Sequence, residues 1–480
     1  MAFRFAHGTL DRSLALGAVT ERSVRVWLRE PSGEAQTVSV SVDGDVVAEA
    51  RLDPAAERDY VAAAELRLAT PRPSAAFAVR AGGAVRQGQF APAVGEPAAF
   101  AFAFGSCHQP FVRRPDGALA PHAGAGIYPA MADVLRARAA RFLLLLGDQV
   151  YGDAAGASAV WRALGRRAGP PTDAELTNVY RYLYRGYFGE PGFRALLEGW
   201  PTCCTWDDHE IMDGWGSLLH PDAFARQRWP AARQAYLEYQ HLRNPEASAT
   251  AEPPYHYHFW YGDVGFFVLD LRGERDYRRG VLLGARQWRD LDDFLAVASA
   301  HGIATVFVGS TIPLVHFSPA LLRGLEARPS GWGNGARDRW CAAPFRAARD
   351  ALAERLFAWQ TARPKRQAIL LSGDVHAGAA FRLRHRRGPG TLWQWTSSPL
   401  TTPISPSQYL ANWAGAALVA RGEWRYRVTR RALVLGHNFG LVDLEPLASG
   451  GHQVTFTLHA YNWRSRALRP AARLVVRPPG

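Results

Sequence analysis

RFLLLLGDQVY, residues 141–151, decides the fold. An unbroken leucine run is apolar on both faces of an extended segment, so it predicts a strand covered on both sides, closed by a polar turn at Gly147-Asp148. The same arrangement returns in FAFGSC (102–107), TCCTWDDHE (202–210), FFVLDLR (266–272), TVFVGST (305–311) and AILLSGDVH (368–376). Helical stretches lie between several of these, at 128–141, 285–300 and 346–361. Buried strands alternating with helices predict an α/β domain, and ligand sites in such domains gather in loops beyond the strand ends.

Toward the N-terminus the period changes. Residues 1–97 alternate short β-prone runs (SVRVWLRE, QTVSVSVDG, DVVAEARL, AAFAVRAGG) with turns, which predicts a small all-β sandwich of immunoglobulin or fibronectin type. Trp27 is expected in the core of that sandwich, and residues 91–100 read as a linker. Residues 98–480 form the α/β domain, interrupted by insertions at 154–200, 218–255 and 316–345, the last containing SGWGNG. These segments either form a lid or pocket wall or pack as ordinary structure. The stretch from NFGLVDLEP to the end reads as closing strands, and no internal repeat is visible.

The chain has 480 residues, 48% hydrophobic and 21% charged, enough for two or three soluble globular domains. It contains no apolar run of about 18 residues that would cross a membrane. The N-terminus shows neither a basic patch followed by an apolar run nor a twin-arginine pair, so no export signal is expected. Cys107, Cys203, Cys204 and Cys341 do not make a disulfide framework, so a cytoplasmic address is expected. The net charge of +13 comes mostly from scattered Arg. It is either a solvated basic surface or a field that draws anionic substrates. No basic stripe or aromatic platform dedicates it to nucleic acid.

The polar strand ends carry the chemistry. Asp148 and Tyr151 follow the leucine run, Asp207, Asp208 and His209 follow CCTW, Asp374 and His376 share one side of an extended segment, and Cys107 adds a thiol. Any one of these acids reads as a turn or helix-capping residue. Converging together, they would repel each other unless cations intervened. Cys203 and Cys204 read as buried, His256 and His258 as sheet-surface residues or a ligand pair, and His108 as a possible pocket residue. Arg272 can reach a substrate phosphate, as can other Arg side chains.

GSC, GDQVY, TWDDHE followed by DGWGS, and SGDVH together resemble the PhoD-like alkaline phosphatases of the calcineurin-like metallophosphoesterase superfamily. The opening FAHGTLDRSLALGAVTERSVRVWLRE, YHYHFWYGDVGFFVLDLR and WTSSPL are similar to further segments of that family. The resemblance implies a two-sheet sandwich flanked by helices, in four layers α/β/β/α. It implies a first metal on Cys107, Asp148, Tyr151 and His376, where thiolate and phenolate favour Fe(III). A second, on Asp148, Asp208 and Asp374, would be Ca2+, Mg2+ or Mn2+. His209, with Asp208, would be catalytic, and Asp207 would support from behind. The wider superfamily usually has Asn at the position of Asp208, His at that of Asp374, and a His where Ser310 or Thr311 stands. The PhoD-like proteins share these departures.

The implied function is hydrolysis of phosphate mono- or diesters by a metal-activated water. Two readings of other classes compete. One is a non-catalytic metal-containing binding protein on the same fold; the other is an oxidoreductase using Cys107 and Tyr151 at iron. Retention of every donor speaks against the first, and the carboxylate-rich second site speaks against the other. Oligomeric state is not legible.

Overall fold

The computed structural model describes residues 3–478 apart from 155, 168, 218–222, 329–330, 422 and 424. Parts of the expected insertions, including Ser330 of SGWGNG, lie outside the described residues. Two mixed sheets face each other. One is six-stranded, in the order Thr202–Thr205, Leu143–Leu146, Phe100–Gly105, Asn438–Pro446, His452–Asn462, Ala467–Val476. The other is seven-stranded, in the order Tyr257–Tyr261, Val264–Val268, Thr305–Ser310, Gln367–Ser372, Thr391–Thr396, Gly378–His385, Tyr426–Val434.

The leucine run shows why these strands are apolar throughout. Leu144 and Leu146 point between the sheets, where Phe102 meets Phe266 and Phe307 edge-on at ring distances of 5.2 and 5.3 Å. Leu143 and Leu145 point outward, beneath the helices Ile127–Ala137, Asp173–Phe188 and Ala223–Tyr239. Val306, Val308 and Leu370 do the same on the other sheet, under Ala285–Ala300 and Arg346–Thr361. Every side chain of a central strand therefore leaves water, at roughly 1.5–3 kcal/mol for each large one. Among the described residues no helix is long and apolar enough to cross a membrane.

Residues 13–89 form a three-stranded sheet (Ser13–Val19, Ser23–Arg29, Val61–Arg67) over a four-stranded one. Val24, Val26 and Leu28 fill the space between them with Val38, Val40 and Val79. Trp27 does not, contrary to expectation. Successive side chains of a strand alternate faces, so Trp27 points out of the sandwich and is buried against the helical layer instead. Its indole nitrogen donates to the Glu238 carbonyl at 2.7 Å, and the Arg243 guanidinium lies 4.3 Å from its ring centre. Docking of this face explains why the strand Ser23–Arg29 is buried at every position although its sequence alternates.

Trp27→Ala empties this contact without touching the sandwich core. It should cost about 3–5 kcal/mol, read as a lower urea midpoint, while the two-sheet core keeps its circular-dichroism signature.

Candidate metal centre

Adjacent parallel strands end on the same side, so their following loops meet. The loop after Phe100–Gly105 brings Cys107, the loop after Leu143–Leu146 brings Asp148 and Tyr151, and that after Thr202–Thr205 brings Asp207, Asp208 and His209. From the facing sheet, Thr305–Ser310 leads to Thr311, Gln367–Ser372 to Asp374 and His376, and Thr391–Thr396 to Ser398 and Thr402. The backbone is left-handed at Cys107 (φ 61°), Asp148 (59°), Asp374 (60°) and His376 (53°). Such residues cost about 1–3 kcal/mol each and persist where the surroundings hold them for a purpose. Gly373 is required for a separate reason: a Cβ there would lie 2.3 Å from Ser106 Oγ and 2.8 Å from the Leu146 carbonyl.

The structure brings the expected donors together. Cys107 Sγ lies 3.3 Å from Asp148 Oδ2, and the Tyr151 hydroxyl lies 3.5 Å from Asp148 Oδ2 and 3.4 Å from His376 Nε2. Ligand atoms of Asp148, Asp208 and His209 lie within 4.8 Å of one another, and so do those of Asp148, Asp207 and Asp374. Ser398 Oγ donates to Cys107 Sγ at 3.1 Å and Thr402 Oγ1 donates to the Tyr151 oxygen at 2.9 Å. These last two hydroxyls were not singled out from sequence, although Ser398 lies inside the quoted WTSSPL segment.

Behind the cluster, Glu210 ties two loops. Its carboxylate accepts from the backbone amides of Asp148 (3.0 Å), Gln149 (2.6 Å) and Asp207 (2.8 Å), and from Gln240 Nε2 (2.9 Å). Burial nonetheless pushes its carboxyl up to about 7. Burial likewise pushes Asp207 up to about 6 against the pull of Arg272. Asp148 rises well above the usual carboxylate range, through burial and then the charges of Asp208, Asp207 and Glu210, which outweigh His209. Asp207 Oδ2 and Asp208 Oδ1 are buried and accept no hydrogen bond among the described residues. A thiol, a phenol, an imidazole and unsatisfied carboxylate oxygens around one space fit metal ions.

His209 is stacked on Tyr151, ring centres 4.1 Å apart, and its Nδ1 lies 2.8 Å from Asp153 Oδ1. Burial opposes a proton on this ring, but Asp153, Asp208 and Asp148 outweigh it and hold its pKa well above the ordinary value. Asp153, whose other oxygen accepts from the Asp213 amide, was not picked out from sequence; its place two residues beyond Tyr151 is the only trace of it there.

Arg272 does not face substrate. It is fully buried, bonded to Asp207, to the Trp215 carbonyl at 2.9 Å and to both oxygens of Asp338 at 2.7 and 2.9 Å. Arg272 also lies 3.3 Å from Asp208 Oδ1, and the arginine on the cavity side is Arg339, which pairs with Asp374. Thr311 Oγ1 donates to Asp207 at 2.8 Å, and Ser310 bonds the Ile312 carbonyl, so neither replaces the nitrogen donor of the wider superfamily. His108 is turned into the helical layer, stacked on Phe193 and bonded to Tyr128. His256 pairs with Asp290 at 2.8 Å and His258 packs beside Trp260 and Phe294. Cys203 and Cys204 are buried, and all four cysteines are unpaired.

A cavity of about 800 Å³ opens on the cluster, with Asp208, His209, Asp374 and His376 at one end. Its walls come from the helices Pro319–Glu326, Gly331–Arg337 and Pro406–Ala417. The insertion around 316–345 therefore lines the pocket, whereas the helices of 154–200 and Ala223–Tyr239 pack mainly in the layer over the six-stranded sheet.

Two mixed sheets thus face each other with a donor cluster at their shared strand ends. The chain belongs to the PhoD-like phosphatase family, whose model matches residues 102–445. A curated relative, alkaline phosphatase D of Bacillus subtilis (strain 168), is 26% identical over 226 residues, 42% of this chain and 36% of its own length. The match thus spans about a third of that relative. The solved structure of PhoD superposes with a TM-score of 0.69 at 17% identity, over 97% of this chain and 90% of that one. The purple acid phosphatase PPD1 from yellow lupin (Lupinus luteus) seeds gives 0.56 at 10% identity, over 96% and 74%. At these identities the likeness is one of fold.

Arg272→Met leaves Asp207 buried without its cation and Asp338 with Arg275 alone, which should cost about 3–5 kcal/mol at pH 7. Burial raises the Asp338 carboxyl, but Arg272 and Arg275 outweigh it and hold it well below the usual range. A depressed carboxyl stabilises the fold above its unfolded value of about 3.9 and loses that contribution as pH falls through the folded value. The deficit of the variant, measured by urea titration, should therefore shrink below about pH 4.

Proposed function

We propose that this chain is a metal-dependent hydrolase of phosphate mono- or diesters. The single observation that carries the reading is the convergence of Cys107, Asp148, Tyr151, His376, Asp208 and Asp374, of which Asp208, Asp374 and His376 line a large cavity. Membership of the PhoD-like phosphatase family supports it. Cys107, Asp148, Tyr151 and His376 would hold one ion, and their soft and phenolic donors suit Fe(III). Asp148, Asp208 and Asp374 would hold the other, a hard ion such as Ca2+, Mg2+ or Mn2+. Bound ions supply Lewis-acid polarisation of the phosphoryl group and a water of lowered pKa.

The chain's own groups do the rest. Asp153 fixes His209 through Nδ1 and leaves Nε2 as the ring nitrogen for proton transfer to the departing oxygen. Stacking on Tyr151 holds the ring plane. Arg339, at the cavity wall beside Asp374, can take a phosphate oxygen once that carboxylate is otherwise engaged. Arg272 keeps Asp207 and Asp208 in place from behind. The unpaired cysteines support a reducing, cytoplasmic setting.

Hydrolysis of p-nitrophenyl phosphate and its bis-ester, with and without a chelator, tests the reading. The wild type should turn over at least one ester and lose activity on chelation; Asp148→Asn should fall by about 100-fold or more. Undiminished turnover in Asp148→Asn would contradict the site. Asp153→Asn should lower kcat by about 10- to 100-fold with little change in KM, and Asp153→Glu should restore part of it. A loss confined to KM would show that Asp153 does not act through His209.

A further inference from the structure

The cavity has two chemically different ends. Toward the strand loops it is lined by Asp208, Asp374 and His376 of the donor cluster, with His209 and Arg339. The rest of its wall is mostly apolar, with Phe317, Leu321, Leu325, Trp332 and Leu410 from two separate segments of the chain, interrupted by Asn334, Ser407, Gln408 and Asn412. Leu321, Trp332 and Leu410 are 41%, 52% and 63% exposed. Side chains of this kind facing an open cavity mark a binding surface more often than a solvated one. The same cavity is lined by both sets of residues, so a single ligand can reach from one to the other. A phosphate alone, or a small polar alcohol such as glycerol, would leave the wall in contact with water.

The geometry points to a phosphate ester bearing a bulky apolar substituent, with the phosphate at the donor cluster beside Arg339 and the substituent against Trp332, Leu321 and Leu410. This inference rests on the phosphoesterase reading and adds the substrate class to it. Apolar burial of a growing alkyl chain then strengthens productive binding stepwise, until the cavity is filled. An apolar wall of this kind accepts a chain or a ring system, so both belong in the test.

The experiment compares kcat/KM along two alkyl series from ethyl to octyl. One is n-alkyl phosphates followed by phosphate release; the other is n-alkyl p-nitrophenyl phosphates, in which the leaving group stays constant. Phenyl and 2-naphthyl phosphates, whose phenols have similar acidity, form the ring arm. We expect kcat/KM to rise about two- to fourfold per methylene before levelling, or to favour naphthyl over phenyl. We expect the preference for the larger ester to shrink at least about fivefold in Trp332→Ala and Leu410→Ser. Both side chains are largely exposed, so the melting temperature should hold. A flat profile in every series that turns over would overturn the inference while leaving the phosphoesterase reading intact. A preference untouched by either substitution would overturn the assignment to this wall. Turnover of no ester by the metal-loaded protein would remove the phosphoesterase reading and the inference with it.

Discussion

Uncompensated negative charge at the strand ends is the constraint on which the rest depends. Asp148, Asp207, Asp208, Glu210 and Asp374 are brought together where water is largely excluded. Arg272 is shared among Asp207, Asp208 and Asp338, and Arg339 pairs with Asp374. Burial, and after it the charge of neighbouring carboxylates, raises the affinity of these acids for protons, as Asp148 and Glu210 show. The fold tolerates the arrangement because Glu210 binds the loop amides and because two sheets with helices on both sides hold the strand ends in place. Metal ions are the economical solution to such a field, and the left-handed backbone at Cys107, Asp148, Asp374 and His376 keeps the donors aimed at it.

Much of this was legible in the sequence, for physical reasons. RFLLLLGD reads as a doubly covered strand because no polar residue interrupts it, and the structure covers it on both faces. The helices at 285–300 and 346–361 coincide with those found, while the one expected at 128–141 runs from Ile127 to Ala137. The six expected ligand residues meet, since each follows directly on a strand whose end must lie at the same edge. Residues that act across long sequence distances left little trace. Thr402 and Arg339 sit in loops or short helices with nothing periodic around them, and the cavity-lining helix Pro406–Ala417 has no sharply apolar face to announce it.

Trp27 shows how a correct local reading can place a side chain wrongly. The alternation in SVRVWLRE predicts one buried and one wet face, and Trp27 seemed to belong inside. Its parity puts it on the outer face with Arg25 and Arg29; the helical layer covers Trp27, and the two guanidinium groups donate to the Leu242 and Leu10 carbonyls. Docking between layers, which no local pattern reports, decides the matter. The same docking joins the N-terminal sheets to the helix Ala223–Tyr239 that backs the donor cluster.

The most direct test of the account is elemental analysis of freshly purified protein together with its visible spectrum, for the wild type and Tyr151→Phe. The account predicts iron in proportion to protein, with a phenolate-to-iron absorption band that Tyr151→Phe removes or shifts. Protein that is fully folded and active on phosphate esters, yet takes up no metal and loses nothing to a chelator, would contradict it.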